Sequence, residues 1–191
     1  MSATNDRIVA AALAAVGMSG SPANREAFAA FLADGQDTPD IGLQMTTAST
    51  CALVARTLWR RAGVDMPGLY EPYPIGSGPS ALVAFAESVN AWHTTDLLSA
   101  VAGDLVLVGE GGQAHVFTLT DDANDERFHS VDGGQLDPAG YQLVQGKERH
   151  WNPPNRVGQT IDISRPIGFA QWGIQRPVIG FVAVAGLPVR S

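Results

Sequence analysis

The sequence predicts an α+β domain in which helices come first and a mostly antiparallel sheet follows. Two observations carry this. Up to about residue 92, apolar residues recur at helical spacing, with small hydroxylated residues, glycine and proline marking the ends. From Ala102 onward they run continuously or alternate in short stretches, separated by glycine-rich or polar turns. Helices in a block and then strands in a block is the order of an α+β fold, not of alternating βαβ units.

Asn5 is placed to cap a first helix over 5–17, which Gly17 and the turn Ser19-Gly20-Ser21-Pro22 close. Ser21 or Asn24 caps a second helix from Arg25 to Asp34, with Ala27, Phe28, Phe31 and Leu32 as its buried stripe and Gly35 at its end. In the third, Val54, Leu58 and Ala62 follow at spacing four, Leu53 widens the stripe and Gly63 is the stop. Met66 to Pro79 is too rich in Pro and Gly for a helix or a central strand. Ser80 caps a fourth helix through about Trp92.

Strands are then expected at Gly103–Val108, His115–Thr120 and Arg127–Asp132, with a short one at Thr160–Ile163 and a last apolar one at Pro177–Val184. Asp137 to Asn155 reads as irregular. No repeat, charge block or linker divides the chain, so residues 1–191 are expected to form one domain.

Composition excludes several classes of function. The 191 residues are 45% hydrophobic and 16% charged, which is ordinary for a globular chain. A net charge of −7 disfavours nucleic acid as a partner, since phosphate binding needs a basic field. The densest basic cluster, Arg56, Arg60 and Arg61, reads as the solvated face of the third helix, with a secondary role in holding a substrate carboxylate. A single cysteine rules out an internal disulfide and a multi-cysteine zinc site, and no His-Glu-x-x-His or other helical ligand pair suggests a metal. Neither metal nor cofactor is expected. No stretch is long and apolar enough for a membrane span, and the start Met1–Arg7 is not a signal peptide. The chain is therefore expected in the cytoplasm as synthesised, unless a dedicated system exports it or lysis releases it.

The chemistry centres on Cys51. With Ser49 or Thr50 as N-cap, it falls in the first turn of the third helix, where open N–H groups and the helix dipole favour thiolate over thiol. A thiol nucleophile needs a base in reach and a third group to hold that base. His115 opens a strand directly after the turn Gly109–Gly112, which fixes an imidazole at a sheet edge. His93 reads as a helix-ending cap and His150 as a loop residue facing solvent. For the third group, Asp132 and His129 compete on the neighbouring strand, and Asp132 is preferred with His129 as the alternative, because a carboxylate would also stabilise an imidazolium. Gln135 follows Asp132 across two glycines and can reach the same cluster. Gln44, upstream of the cysteine, can contribute to an oxyanion hole, and Tyr70 and Tyr73 can form a wall of a substrate groove.

At these residues the chain resembles the NlpC/P60 and CHAP superfamily of papain-like cysteine peptidases and amidases. The likeness lies in a helix beginning at Cys51, then Gly103-Asp104-Leu105-Val106-Leu107-Val108, a glycine turn and His115-Val116, and spans about residues 44–135. The closing Arg176-Pro177-Val178-Ile179-Gly180-Phe181 is similar to the last strand of some members. The resemblance implies a papain-like fold with Cys51 as nucleophile and His115 as base. The interval from His115 to Asp132 is like the histidine-to-glutamate interval of CHAP domains, and that to His129 is closer to NlpC/P60. It further implies hydrolysis of an amide in peptidoglycan, at a stem-peptide bond or the N-acetylmuramoyl–L-alanine bond. Ser49-Thr50-Cys51-Ala52 stands where Asp-Cys-Ser-Gly is usual, and Ala102 where proline is usual. Two alternatives stand beside this: a cytoplasmic thiol amidase or acyl transferase on a non-wall substrate, motivated by the missing export signal and the acidic charge, and a catalytically silent binding module of the same fold, motivated by the Ser-Thr-Cys-Ala context.

Overall fold

The computed structural model describes residues 2–35, 50–64, 81–94, 99–109, 115–123, 127–150, 160–162 and 175–189. Gln44, Tyr70 and Tyr73 lie outside the described residues.

Among the described residues, four helices precede and cover an antiparallel sheet. Helix α1 is Ala3–Ala15, α2 Arg25–Ala33, α3 Cys51–Arg61 and α4 Ala81–Ser88. Ser2, not Asn5, is the N-cap of α1, its hydroxyl accepting the Asn5 N–H at 3.3 Å. Asn5 is instead buried one turn in, donating from Nδ2 to the Ala102 carbonyl at 2.6 Å. It satisfies a carbonyl that would otherwise be buried without a partner. Gly103, at φ +96, passes so close that a Cβ there would lie 3.0 Å from the Asn5 amide nitrogen.

Helix α2 buries Phe28, Phe31 and Leu32 as its spacing predicts, while Ala27 is exposed. Helix α4 is shorter than expected. Asn90, at φ 56, turns the chain in the left-handed region, and the Ala91 N–H closes on the Ala86 carbonyl at 2.8 Å. Trp92–His93 then becomes strand β1 instead of a last helical turn, with His93 exposed and stacked on Phe181 at 4.7 Å between ring centroids.

Helix α3 is the central element. Every residue from Leu53 to Trp59 is buried, so it is enclosed nearly all round, not amphipathic. That overturns the solvated basic face. Arg56 is 1% exposed, Arg60 is half-buried, and Arg61 is exposed, paired with Asp34 at 2.6 Å and over the Phe31 ring at 4.7 Å. The Trp59 indole N–H anchors the helix to the Gly103 carbonyl at 3.0 Å.

The remaining strands are β2 Leu105–Val108, β3 His115–Leu119, β4 Arg127–Leu136, β5 Gln142–His150, β6 Thr160–Asp162 and β7 Gln175–Val182. Their order is β1-β7-β2-β3-β4-β5, with β6 paired to the beginning of β7, and each pairing is antiparallel. Strand β5 replaces the irregular segment expected from Asp137, and it places His150 at a strand end. Asp137 accepts the N–H groups of Ala139 and Tyr141, both at 2.9 Å, and so turns β4 back into β5. The sequence of β5 hides its period because charged Lys147 and Arg149 point inward, where an apolar residue is the normal sign of a strand.

Alternation divides the side chains between two faces. Leu105, Leu107, Val116 and Val131 face the helices, where they pack with Trp59, Val54 and Leu58. Val106, Val108, Phe117 and Phe128 form a second core on the other face with Val178 and Phe181. Among the described residues, no helix is long and apolar enough to cross a membrane.

Candidate active site

Thr50 occupies the N-cap position of α3, but its side chain does not cap the helix. The hydroxyl accepts the Gly134 N–H at 3.0 Å instead. Cys51 is thus the first helical residue, and the Ala52 N–H beside it is turned to the sulfur, as is the Val116 N–H from β3. With no side chain capping the helix, the Ala52 N–H is left to face a negative charge at the helix mouth, and the Val116 N–H adds a second donor.

His115 begins β3, and alternation sets it on the face of Phe117 and Asp132. Its Nε2 donates to Asp132 Oδ2 at 2.6 Å. The Cys51 side chain is hydrogen-bonded to the same ring, and with Nε2 committed to Asp132, Nδ1 is the nitrogen left for sulfur. Cys51 is 3% exposed, and the His115 side chain 12%.

A β-bulge in β4 shapes the third corner. Asp132 faces Gln145, but Gln135 faces Leu143, so one extra residue is inserted at the glycine pair. Gly134, at φ +70, takes the left-handed turn this needs, and a Cβ on Gly133 would meet Val54 Cγ2 at 2.5 Å. The bulge therefore brings the strand's backbone down on α3 just where Cys51 begins.

Asp132 is completely buried and richly bonded. Ser130 Oγ donates to its Oδ1 at 2.9 Å, and Arg149 Nη2 donates to the Oδ2 that His115 also uses. Arg149 Nε donates to Ser130 Oγ at 2.8 Å, and its guanidinium lies 4.0 Å over the Phe117 ring. Burial by itself pushes the Asp132 carboxyl up. The charge of Arg149, the His115 hydrogen bond and charge, and Lys147 outweigh it and hold Asp132 well below the usual carboxylate range.

The same opposition governs the other two groups. Burial raises the Cys51 thiol, but the His115 hydrogen bond and charge, with the two N–H donors, bring it below its ordinary value. Burial lowers His115, but Asp132 and Cys51 bring it above its ordinary value. Both directions favour a thiolate–imidazolium pair.

The structure thus brings Cys51, His115 and Asp132 together and leaves His129 out. His129 lies on the opposite face of β4, half exposed, with Nδ1 on Asp121 at 2.6 Å and Nε2 on Glu148 at 3.6 Å. An odd separation from Asp132 along the strand puts the two on opposite faces, so they cannot both reach the ring. Gln135 shares the inward face but is held within the strand pair: Lys147 Nζ donates to its Oε1 at 2.6 Å, and its Nε2 donates to the Gly133 carbonyl at 3.2 Å. Ser130, Arg149 and Thr50 escape a reading of the sequence for catalytic residues. The signal for two of them is that Ser130, two residues before Asp132, pairs with Lys147, two residues before Arg149, which has meaning only once β5 is known to be a strand.

Among the described residues, no group of His, Cys, Asp or Glu is arranged to hold a metal ion. No protein-family model, curated protein or solved structure matches this chain.

Proposed function

We propose that the chain is a cysteine-nucleophile hydrolase of papain-like architecture that cleaves an amide bond. The observation that carries this reading is the buried relay of Cys51, His115 and Asp132, with the cysteine at an uncapped helix start. The Cys51 thiolate attacks the carbonyl carbon, and the oxygen takes the electron pair of the C=O bond. The Cys51 N–H at the helix mouth faces that oxyanion. The intermediate collapses to a thioester as the C–N bond breaks, and His115 Nδ1–H protonates the departing amine. Water then attacks the thioester while His115 takes its proton, and the acid leaves as the thiolate returns. Asp132 holds the ring through Nε2 and stays ionised throughout.

The substrate we favour is peptidoglycan, on the resemblance of the Cys51 and His115 segments to wall amidases. A non-wall amide is the alternative, favoured by the net charge of −7, which repels anionic wall polymers. Digestion of purified peptidoglycan, with the released fragments weighed, tests the substrate. The Cys51→Ala variant tests the mechanism and should reduce release by three orders of magnitude or more. Equal release by a folded Cys51→Ala variant would end the nucleophile reading.

A catalytically silent module is the second reading, and the 3% exposure of Cys51 favours it. It is separated by the pH at which the single thiol becomes reactive towards iodoacetamide. A rise only in the ordinary thiol range supports the silent module, and a rise well below it supports the enzyme.

A further inference from the structure

The residue that stands out beyond the relay is Arg149. A guanidinium is rarely enclosed without a purpose, because taking it out of water costs several kcal/mol unless it is paired and hydrogen-bonded. Here Nε and Nη2 are both engaged around one carboxylate. Nη2 meets Asp132 Oδ2, Nε meets the Ser130 hydroxyl, and that hydroxyl meets Asp132 Oδ1. The Phe117 ring, from the same strand as His115, forms the floor at 4.0 Å. Arginine and serine together thus fix both oxygens of Asp132 in a single orientation, and leave Oδ2 pointing at His115 Nε2. Lysine cannot do this, as it lacks the planar fork.

We propose that Arg149 is a positioning residue: acting through Asp132, it keeps the carboxylate ionised and aimed, and so maintains the Cys51–His115 ion pair. This rests on the reading of Cys51 as nucleophile. The charged groups that face the relay from the described elements are Cys51 on α3, His115 on β3, Asp132 on β4, and Lys147 and Arg149 on β5. Of the two cations, Lys147 is occupied with Gln135 at 2.6 Å, and Arg149 alone is hydrogen-bonded to Asp132 among these contacts. Without Arg149, Asp132 loses the cation that offsets its burial, the imidazolium loses a fixed acceptor, and the thiolate loses its partner.

The single cysteine makes the test direct, since alkylation by iodoacetamide reports Cys51 alone. Alkylation rate is followed against pH on the full chain, with circular dichroism to establish folding. Arg149→Met should move the titration of Cys51 upward, so that at pH values below the titration reactivity falls about tenfold for each unit of movement. Arg149→Lys, which keeps the charge and loses the fork, should fall between that variant and the parent. A folded Arg149→Met variant with the parental curve overturns the proposal. Should that variant not fold, Asp132→Asn is compared with Asp132→Asn/Arg149→Met, in which both buried charges are gone. Coincident curves show that Arg149 acts through Asp132. A further tenfold loss in the double variant overturns this, because Arg149 would then act on the sulfur by its own field. A parental Cys51 that titrates in the ordinary thiol range sinks the nucleophile reading itself, whereas a low parental titration unmoved by Arg149→Met sinks only the positioning role.

Discussion

The Thr50 hydroxyl accepts the Gly134 N–H at 3.0 Å, and this bond fastens the residue before Cys51 to the bulge that follows Asp132. Thr50 and Gly134 are 84 residues apart in the chain, yet the distance between helix mouth and carboxylate depends on them. The same hydroxyl lies 3.5 Å from Gln142 Oε1, so β5 is tied in as well. Because the hydroxyl is used across elements, it is not used to cap α3, and the helix start remains open to the sulfur.

Thr50→Val should therefore act on both stability and reactivity. It keeps the shape of the residue and leaves the Gly134 N–H without its partner, at a cost of about 1–2 kcal/mol in urea unfolding. Because the helix start can then drift relative to β4, turnover should fall about tenfold. Thr50→Ser retains the hydroxyl and should restore most of both. Unchanged turnover in a measurably destabilised Thr50→Val variant would show that the bond serves the fold alone.

Activity against pH should follow a broad bell. The Cys51 thiol lies below its ordinary value and His115 above its own, so the ion pair forms at lower pH than a free thiol ionises. It persists to higher pH than a free imidazole stays protonated. The acid limb then reports formation of the pair and the alkaline limb its loss, with apparent values that belong to the pair. Asp132→Asn removes the acceptor that holds the imidazolium and should draw the alkaline limb inward. An alkaline limb at the same pH in that variant would contradict the role given to Asp132.

Asp104 supplies a pH dependence of stability of the opposite kind to Asp132. Burial, with the nearby charge of Asp122, raises its carboxyl from 3.8 to about 6 against the N–H donors of Val101 and Val184. Those donors lie at 3.0 and 2.9 Å and join the start of β2 to the 3-10 turn Val184–Gly186. The folded state binds this proton more readily than the unfolded chain, so stability rises as pH falls between those two values. At about 1.4 kcal/mol per pH unit, the gain is roughly 3 kcal/mol over the window. Asp132, held low in the folded state, contributes at neutral pH and loses that contribution only below the ordinary carboxylate range. Asp104→Asn cannot titrate. Unfolding free energies of parent and variant, measured from pH 7 to pH 4, should therefore diverge in favour of the parent as pH falls. Parallel curves would rule out the buried carboxylate as their source.

The local chemistry of the sequence determined the class of the fold and two corners of the site. A small-residue lead into an apolar period of four is enough to put Cys51 in the first turn of α3. A glycine turn before an alternating run is enough to put His115 at the start of β3. Both signals act between residues a few positions apart, so they survive without knowledge of the rest of the molecule. The third corner did not share that property. Asp132 and His129 are separated by strand parity, and parity has consequences only when both neighbouring strands are in register. Strand β5 escaped for the same reason: charged Lys147 and Arg149 break its apolar alternation until Asp132, buried on the neighbouring strand, makes the interior the better place for a cation. Arg56 teaches this from the other side, since its helix is enclosed by packing that no local period announces. The tertiary structure alone decided which charges are inside, because the stability of a buried charge depends on partners brought from distant parts of the chain.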